Sequence, residues 1–134
     1  MDLQKPLPVP TPTSRPFWDG LASGKVLLQQ CRDCEGWVFY PRSRCSHCLS
    51  DRLEWREVSG RGTLYTFTIA RSPTSPHFSD EVPQRLAVVQ LEQGVRLTTT
   101  LVNVADADIR IGMQLKPFFD AVSADAVLLR YQPA

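Results

Sequence analysis

The chain has 134 residues and a formal net charge of +1 at pH 7, with 43% hydrophobic and 22% charged residues. This is ordinary globular composition, enough for one small barrel plus a minimal appended module. The near-neutral total gives no electrostatic footprint for a polyanionic partner such as nucleic acid. Arg greatly outnumbers Lys. That bias reflects either genome composition or a need for planar, bidentate contacts to carboxylates and phosphates.

No window approaches the length of an apolar membrane span. Met1-Asp2-Leu3-Gln4-Lys5-Pro6 lacks the apolar run of a secretory signal, so a cytoplasmic location is expected. Thiols stay reduced in that compartment.

Residues 1–16 carry Pro6, Pro8, Pro10, Pro12 and Pro16, which predicts an extended arm, either a loose tail or a strap on a partner. Phe17 to Gly24 predicts a short helix closed by Gly24, and Val26 to Gln30 a strand running into Cys31. From about residue 57 the pattern is all-β. Thr63 to Ile69 alternates, with Tyr65, Phe67 and Ile69 assigned to the barrel core. Leu86 to Leu91 and Val95 to Val102 form a hairpin through Glu92-Gln93-Gly94. Leu115 to Phe119 and Ala126 to Tyr131 add two strands, with at most one helical turn at 106–112. Five such strands suit a small closed barrel. The segment from Arg71 to Arg85 is a long proline-punctuated loop containing His77 and Phe78, either a tolerated insertion or a functional loop.

Cys31-Arg32-Asp33-Cys34 and Cys45-Ser46-His47-Cys48 are two C-x2-C knuckles with a short strand, Trp37-Val38-Phe39-Tyr40, and Pro41 between them. Two knuckles at this spacing make a tetrahedral four-sulfur site for one structural Zn2+, with rubredoxin-like iron as the rival. Four thiolates leave no open coordination position, so the role is structural. Two disulfides fit the compartment poorly. His47 reads as an exposed turn residue and not as a fifth ligand.

These residues resemble the acyl-CoA-associated zinc-ribbon OB-fold family, domain of unknown function 35. The likeness is carried by Phe17-Trp18-Asp19-Gly20-Leu21, the four cysteines, Tyr40-Pro41-Arg42, Val58-Ser59-Gly60-Arg61-Gly62-Thr63, Leu86 to Leu91 with Gly94, and Ile111-Gly112-Met113. It implies a mainly β chain, with a short helix and rubredoxin-like ribbon followed by a five-stranded OB-fold barrel. The expected division is an arm at 1–16, helical opener plus ribbon at 17–56, and OB-fold at 57–134. One departure stands out: Glu35 and Leu49 follow the knuckles where the family often has Gly, which predicts slightly altered knuckles.

The resemblance implies a subunit of a thiolase-fold enzyme, either an acetyl-transferring thiolase or a steroid side-chain aldolase, in a two-plus-two assembly. An acyl-CoA hydratase is a further implied partner, with acyl-CoA at the shared interface. Partner contact is expected at Phe17, Trp18, His77 and Phe78, and CoA contact at Arg42, Arg44, Arg61 and Arg71. The chain is expected not to be an enzyme by itself. It has no G-x-S-x-G elbow, P-loop or dinucleotide fingerprint, and no cysteine outside the metal set. The alternative is a single-stranded nucleic-acid-binding OB-fold. Against it, the candidate strands carry Gln90, Arg96, Thr98, Thr99 and Thr100 with no aromatic to stack bases.

Overall fold

The computed structural model describes residues 8–72, 83–124 and 126–134. Helix α1 (Arg15–Ala22) opens them. Ser14 turns its hydroxyl back to accept from the Thr11 N–H at 3.0 Å, while Pro16 sits in the first turn, where a missing N–H is tolerated. The helix ends in a paired cap. Lys25 N–H donates to the Gly20 carbonyl at 2.8 Å, and Gly24 N–H to that of Leu21 at 3.0 Å. Helix formation thus begins two residues before the expected Phe17, on the proline-containing stretch.

Three strands follow as one small antiparallel sheet: β1 (Val26–Cys31), β2 (Trp37–Val38) and β3 (Leu53–Val58), in the order β2-β1-β3. Sequence reading missed β3. It pairs along the whole of β1, from Val26 with Val58 to Cys31 with Leu53, and so brings the second knuckle back beside the first.

The remaining strands are β4 (Gly62–Ala70), β5 (Gln84–Leu91), β6 (Arg96–Thr100), β7 (Gln114–Ser123) and β8 (Ala126–Pro133). Their order is β6-β5-β4-β7-β8, with a single 3-10 turn at Asp106–Asp108 between β6 and β7. A parallel bridge between Leu101 and Tyr131 closes the barrel, and Val102 N–H donates to the Tyr131 carbonyl at 2.9 Å. That bridge joins the two ends of the five-stranded sheet, as in the partly open barrel of an OB-fold.

Leu64, Val89, Leu91, Leu97, Leu115 and Tyr131 fill the barrel core. Leu28 of β1 is buried in the same cluster, with Trp37, Phe39 and Val58 packed against it. The ribbon sheet is therefore one wall of the barrel's core. Tyr65 departs from expectation. The register of β4 against β5 shifts between Leu64 and Thr66, so Tyr65 is the extra residue of a bulge and lies 48% exposed. Leu64 takes the inward position, and Phe67 packs on the core beyond the bulge.

Ribbon and barrel meet at Ser59-Gly60-Arg61. Gly60 has φ +76°, and a Cβ there would lie 2.7 Å from Val26 Cγ2 and 2.8 Å from Pro117 Cγ. Tyr131, fully buried on β8, donates its hydroxyl to the Gly60 carbonyl at 2.5 Å. Dehydration raises the pKa of that phenol, keeping it a donor. Among the described residues no helix is long and apolar enough to cross a membrane.

Candidate functional site

Cys31 ends β1, Cys34 follows one turn later, and Cys45 and Cys48 form the second turn before β3. The four sulfurs all lie within 4.8 Å of one another. Cys31 and Cys48 approach to 3.6 Å, as do Cys34 and Cys45.

The two knuckles repeat one backbone plan. Asp33 N–H donates to the Cys31 Sγ at 3.4 Å, and His47 N–H to the Cys45 Sγ at 3.3 Å. Glu35 N–H donates to the Cys31 carbonyl and Leu49 N–H to the Cys45 carbonyl, both at 3.0 Å. Each turn then needs a left-handed residue after its second cysteine, and Glu35 and Leu49 both take φ 65°. The knuckles are thus matched to each other despite lacking glycine, with two side chains held in the left-handed region that glycine favours.

Contacts around the cysteines tie the turns together. Asp33 of the first knuckle accepts from Ser50 and from Arg52 Nη1, the latter at 2.8 Å. His47 is exposed and places Nε2 3.2 Å from the Trp37 carbonyl. Its ring leaves no room for a Cβ at Gly36, which would sit 2.7 Å from His47 Cδ2. The buried Gln29 amide donates to the Arg42 carbonyl at 2.9 Å and accepts from the Arg42 N–H at 2.8 Å, clamping the connecting loop to β1.

The chemistry of the donor set fits a divalent cation. As bare thiols the four divide unequally. Cys31 is lowered to about 6, chiefly by the Cys34 N–H. Loss of hydration pushes Cys45 up, but the N–H groups of Cys48 and His47, with the Cys34 and Cys48 sulfurs, together leave it lowered. The Gly36 N–H pulls Cys34 down, yet dehydration and the Cys45 sulfur leave it raised. The Ser50 N–H likewise favours the Cys48 thiolate, but dehydration and three neighbouring sulfurs push it to about 12. Four thiolates this close need a positive ion between them, and a tetrahedral zinc supplies it. Cys31 and Cys45 are buried and Cys34 and Cys48 exposed, and together the four would hold one structural zinc with no coordination position left open.

A second feature lies where opener, ribbon and barrel meet. Phe17 is 4% exposed, and its ring contacts Trp18 at 5.2 Å, Phe39 at 5.6 Å and Tyr40 at 6.3 Å between centroids. Between this cluster and strands β5, β6 and β8 runs a cleft of about 600 Å³, with Arg96 and Arg130 among its lining residues. Sequence reading placed Tyr40 in a ribbon motif without giving it a contact, and did not single out Arg130. Leu86 and Leu128, apolar residues whose strand neighbours Ala87 and Leu129 face inward, were the available signal.

The expected CoA arginines are spread out. Arg42 and Arg44 are exposed on the ribbon, with Arg44 Nη1 donating to the Leu49 carbonyl at 3.2 Å. Arg61 lies at the joint and Arg71 just beyond β4, roughly 30 Å apart along an extended strand. No contact among the described residues joins the four. Of the expected partner contacts, Phe17 is inside the aromatic cluster and Trp18 is half-buried at its edge. His77 and Phe78 lie outside the described residues.

A four-thiolate ribbon fused through a shared core to a closed five-stranded OB barrel defines a narrow class of protein. Residues 18–54 match the family described as ChsH2, rubredoxin-like zinc ribbon domain, and residues 55–120 that described as ChsH2, C-terminal OB-fold domain. A DUF35 domain-containing scaffold protein of Methanocaldococcus jannaschii is 31% identical over 99 residues, 72% of this chain and 68% of its own length. The probable enoyl-CoA hydratase alpha subunit of Thermomonospora curvata is 34% identical over 113 residues, 84% of this chain. This chain spans about a third of that relative (34%). A solved structure described as Ltp2-ChsH2(DUF35) aldolase superposes with TM-score 0.83 and 28% identity, covering 94% of this chain and 98% of the matched one. The chain belongs to the DUF35 family of zinc-ribbon OB-fold proteins, the ChsH2 type.

Proposed function

We propose that this chain is a non-catalytic subunit that binds and stabilises a thiolase-fold enzyme acting on acyl-CoA substrates. The end-to-end likeness to a chain of Ltp2-ChsH2(DUF35) aldolase carries this reading, because that description joins a DUF35 chain to an aldolase. The scaffold names of the archaeal relatives support a role without chemistry of its own. So does the sulfur inventory, since all four cysteines sit in the metal cluster. A two-plus-two assembly is the symmetric expectation when the enzyme is a dimer. Trp18 is the proposed aromatic anchor, held by the buried Phe17, and His77 and Phe78 are proposed contacts on sequence grounds alone. Among the arginines, Arg42 and Arg44 are close enough in the chain to meet one phosphate group together.

Co-expression with a neighbouring thiolase-like gene product, then size-exclusion chromatography and assay, tests the proposal. The two proteins are expected to co-elute, with turnover absent from this chain alone. Independent elution beside a fully active, soluble thiolase refutes it. A second reading has support in two relatives named as hydratase alpha subunits, one of them from Mycobacterium tuberculosis. In that case an acyl-CoA hydratase co-elutes instead. The nucleic-acid reading loses ground at Tyr65, because its exposed ring is already covered by Arg96 at 3.8 Å. Tight, steeply salt-dependent binding to single-stranded DNA would restore it.

A further inference from the structure

We infer that the free edge of β3 pairs with the same edge of a second copy of this chain, joining two ribbon sheets into one about a two-fold axis at Trp55. β3 ends the order β2-β1-β3, so among the described residues no strand lies along its other side. Its register against β1 runs without a shift from Val58 to Leu53, and it contains no proline. Natural edges are usually blunted by a bulge, a proline or unmatched charge. β3 has no bulge and no proline, and its charges are of both signs.

The bonds that flank the strand fix which way its backbone points. Cys31 N–H donates to the Gly36 carbonyl at 2.9 Å, on the β2 side, while Arg32 N–H donates to the Arg52 carbonyl at 2.8 Å, on the β3 side. Alternation along β1 then turns Gln30, Leu28 and Val26 toward β3, and their register partners Glu54, Arg56 and Val58 toward β1. Leu53, Trp55 and Glu57 therefore direct their N–H and C=O groups outward. In the two-fold pair none of these groups is left over: Trp55 exchanges both bonds with its own copy, and Leu53 with Glu57 on either side of the axis.

Charge chooses the register. Side chains 54 and 56 share one face, where Arg56 Nη2 donates to Glu54 and Arg32 Nε lies 3.5 Å from the same carboxylate. An axis at Trp55 sets Glu54 against the second copy's Arg56 and Arg56 against its Glu54, so the four charges alternate in sign. An axis at Arg56 sets that guanidinium against itself. An axis at Glu54 sets Glu54 against itself, Arg52 against Arg56 and Asp51 against Glu57. Opposite charges support a cross-strand pair and like charges destabilise it, so only the first of these registers is favourable. It also brings the second copy's Arg52 opposite Val58, which lines a cleft of about 660 Å³ with Glu92 and Gln93. Among the described residues Glu92 there has the Ser59 hydroxyl at 3.1 Å but no cation, and Gln93 Oε1 is buried without a donor. An arriving guanidinium supplies both.

Sedimentation equilibrium of the zinc-loaded full chain, without any enzyme, tests the pairing. A monomer–dimer equilibrium is expected, and Glu54→Arg and Arg56→Glu should each weaken it about tenfold or more by opposing like charges. Mixed in equal amounts, the two variants should associate again, as a heterodimer in which every contact between positions 54 and 56 is opposite in sign. That rescue is beyond any variant that has merely lost its fold. Glu57→Pro removes an outward N–H and no bond to β1, so it should be monomeric with zinc and thermal transition intact, and it stands in should a charge variant lose its zinc. A chain still monomeric at roughly 0.5 mM overturns the inference, as does a mixture no more associated than either charge variant alone. Thiolase co-elution, measured on the same variants, keeps the two proposals apart. Its loss in variants of a chain that is monomeric by itself makes the edge the enzyme's seat and overturns self-pairing. Dimer formation by a chain that captures no thiolase overturns only the subunit reading.

Discussion

The two halves of this molecule reach a fixed structure by different means. The ribbon's own buried cluster holds only Cys31, Val38 and Cys45, with Leu53 leaning on it. The barrel cluster holds Leu28, Leu64, Val89, Leu97, Leu115, Tyr131 and others like them. A core of two cysteines and a valine cannot offset the entropy of ordering two knuckles and their loop. Coordination supplies what burial does not, with metal binding of about 10–16 kcal/mol in such sites. The barrel needs no such help. What the difference teaches is that the two halves fail separately when their own kind of cohesion is removed.

The largest expected effect is on the ribbon. Cys45→Ser should abolish stoichiometric zinc and open residues between Cys31 and Arg52 to protease. The barrel's thermal transition should survive at a lower midpoint, because Leu28, Trp37 and Phe39 lose their anchor on its flank. A single transition in which both halves vanish together would break the distinction. The converse change is Leu64→Ala in the barrel, expected to cost about 2–5 kcal/mol in denaturant unfolding while zinc content stays at one per chain. Zinc loss in that variant would mean that the barrel holds the site together.

Smaller effects sharpen the boundary. Tyr131→Phe leaves the Gly60 carbonyl without its donor and should cost about 1–3 kcal/mol. A protease-sensitive joint at 58–62 with intact zinc is the expected signature. Leu49→Gly should stabilise the ribbon by about 1 kcal/mol, read as slower zinc transfer to a chelator, since the side chain is 71% exposed at φ 65° and little packing is lost. Destabilisation would show that Leu49 makes a contact worth more than its backbone strain. Tyr65→Ala should matter least, about 0.5–1 kcal/mol for its stack with Arg96. A core-sized loss would reinstate the inward placement expected from simple alternation.

Legibility followed the same division. Four cysteines at ribbon spacing disclosed the metal site fully, because thiolate coordination depends on residue type and local spacing. The strands of the barrel were legible from alternation, which is also a local property. Three features were hidden because each depends on residues distant in sequence. Strand β3 was passed over although Leu53-Glu54-Trp55-Arg56 alternates, because its partner is β1, more than twenty positions earlier. The bulge at Tyr65 inverted one side chain without any glycine to mark it. The cleft was invisible because α1, the ribbon loop and β8 each contribute only two or three residues to it.

The bond from the Tyr131 hydroxyl to the Gly60 carbonyl spans 71 positions. A ribosome releases the ribbon, with its complete ligand set, long before it releases β8. Zinc can therefore be captured while most of the barrel is unmade, and the ribbon's direction relative to the barrel is settled only when the last strand arrives. The barrel closes at that moment too, through the same residue, since Tyr131 also receives the Val102 N–H and bridges Leu101. Closure and alignment are thus a single late event, and a nascent chain lacking its final strand would carry a finished metal site on a hinge.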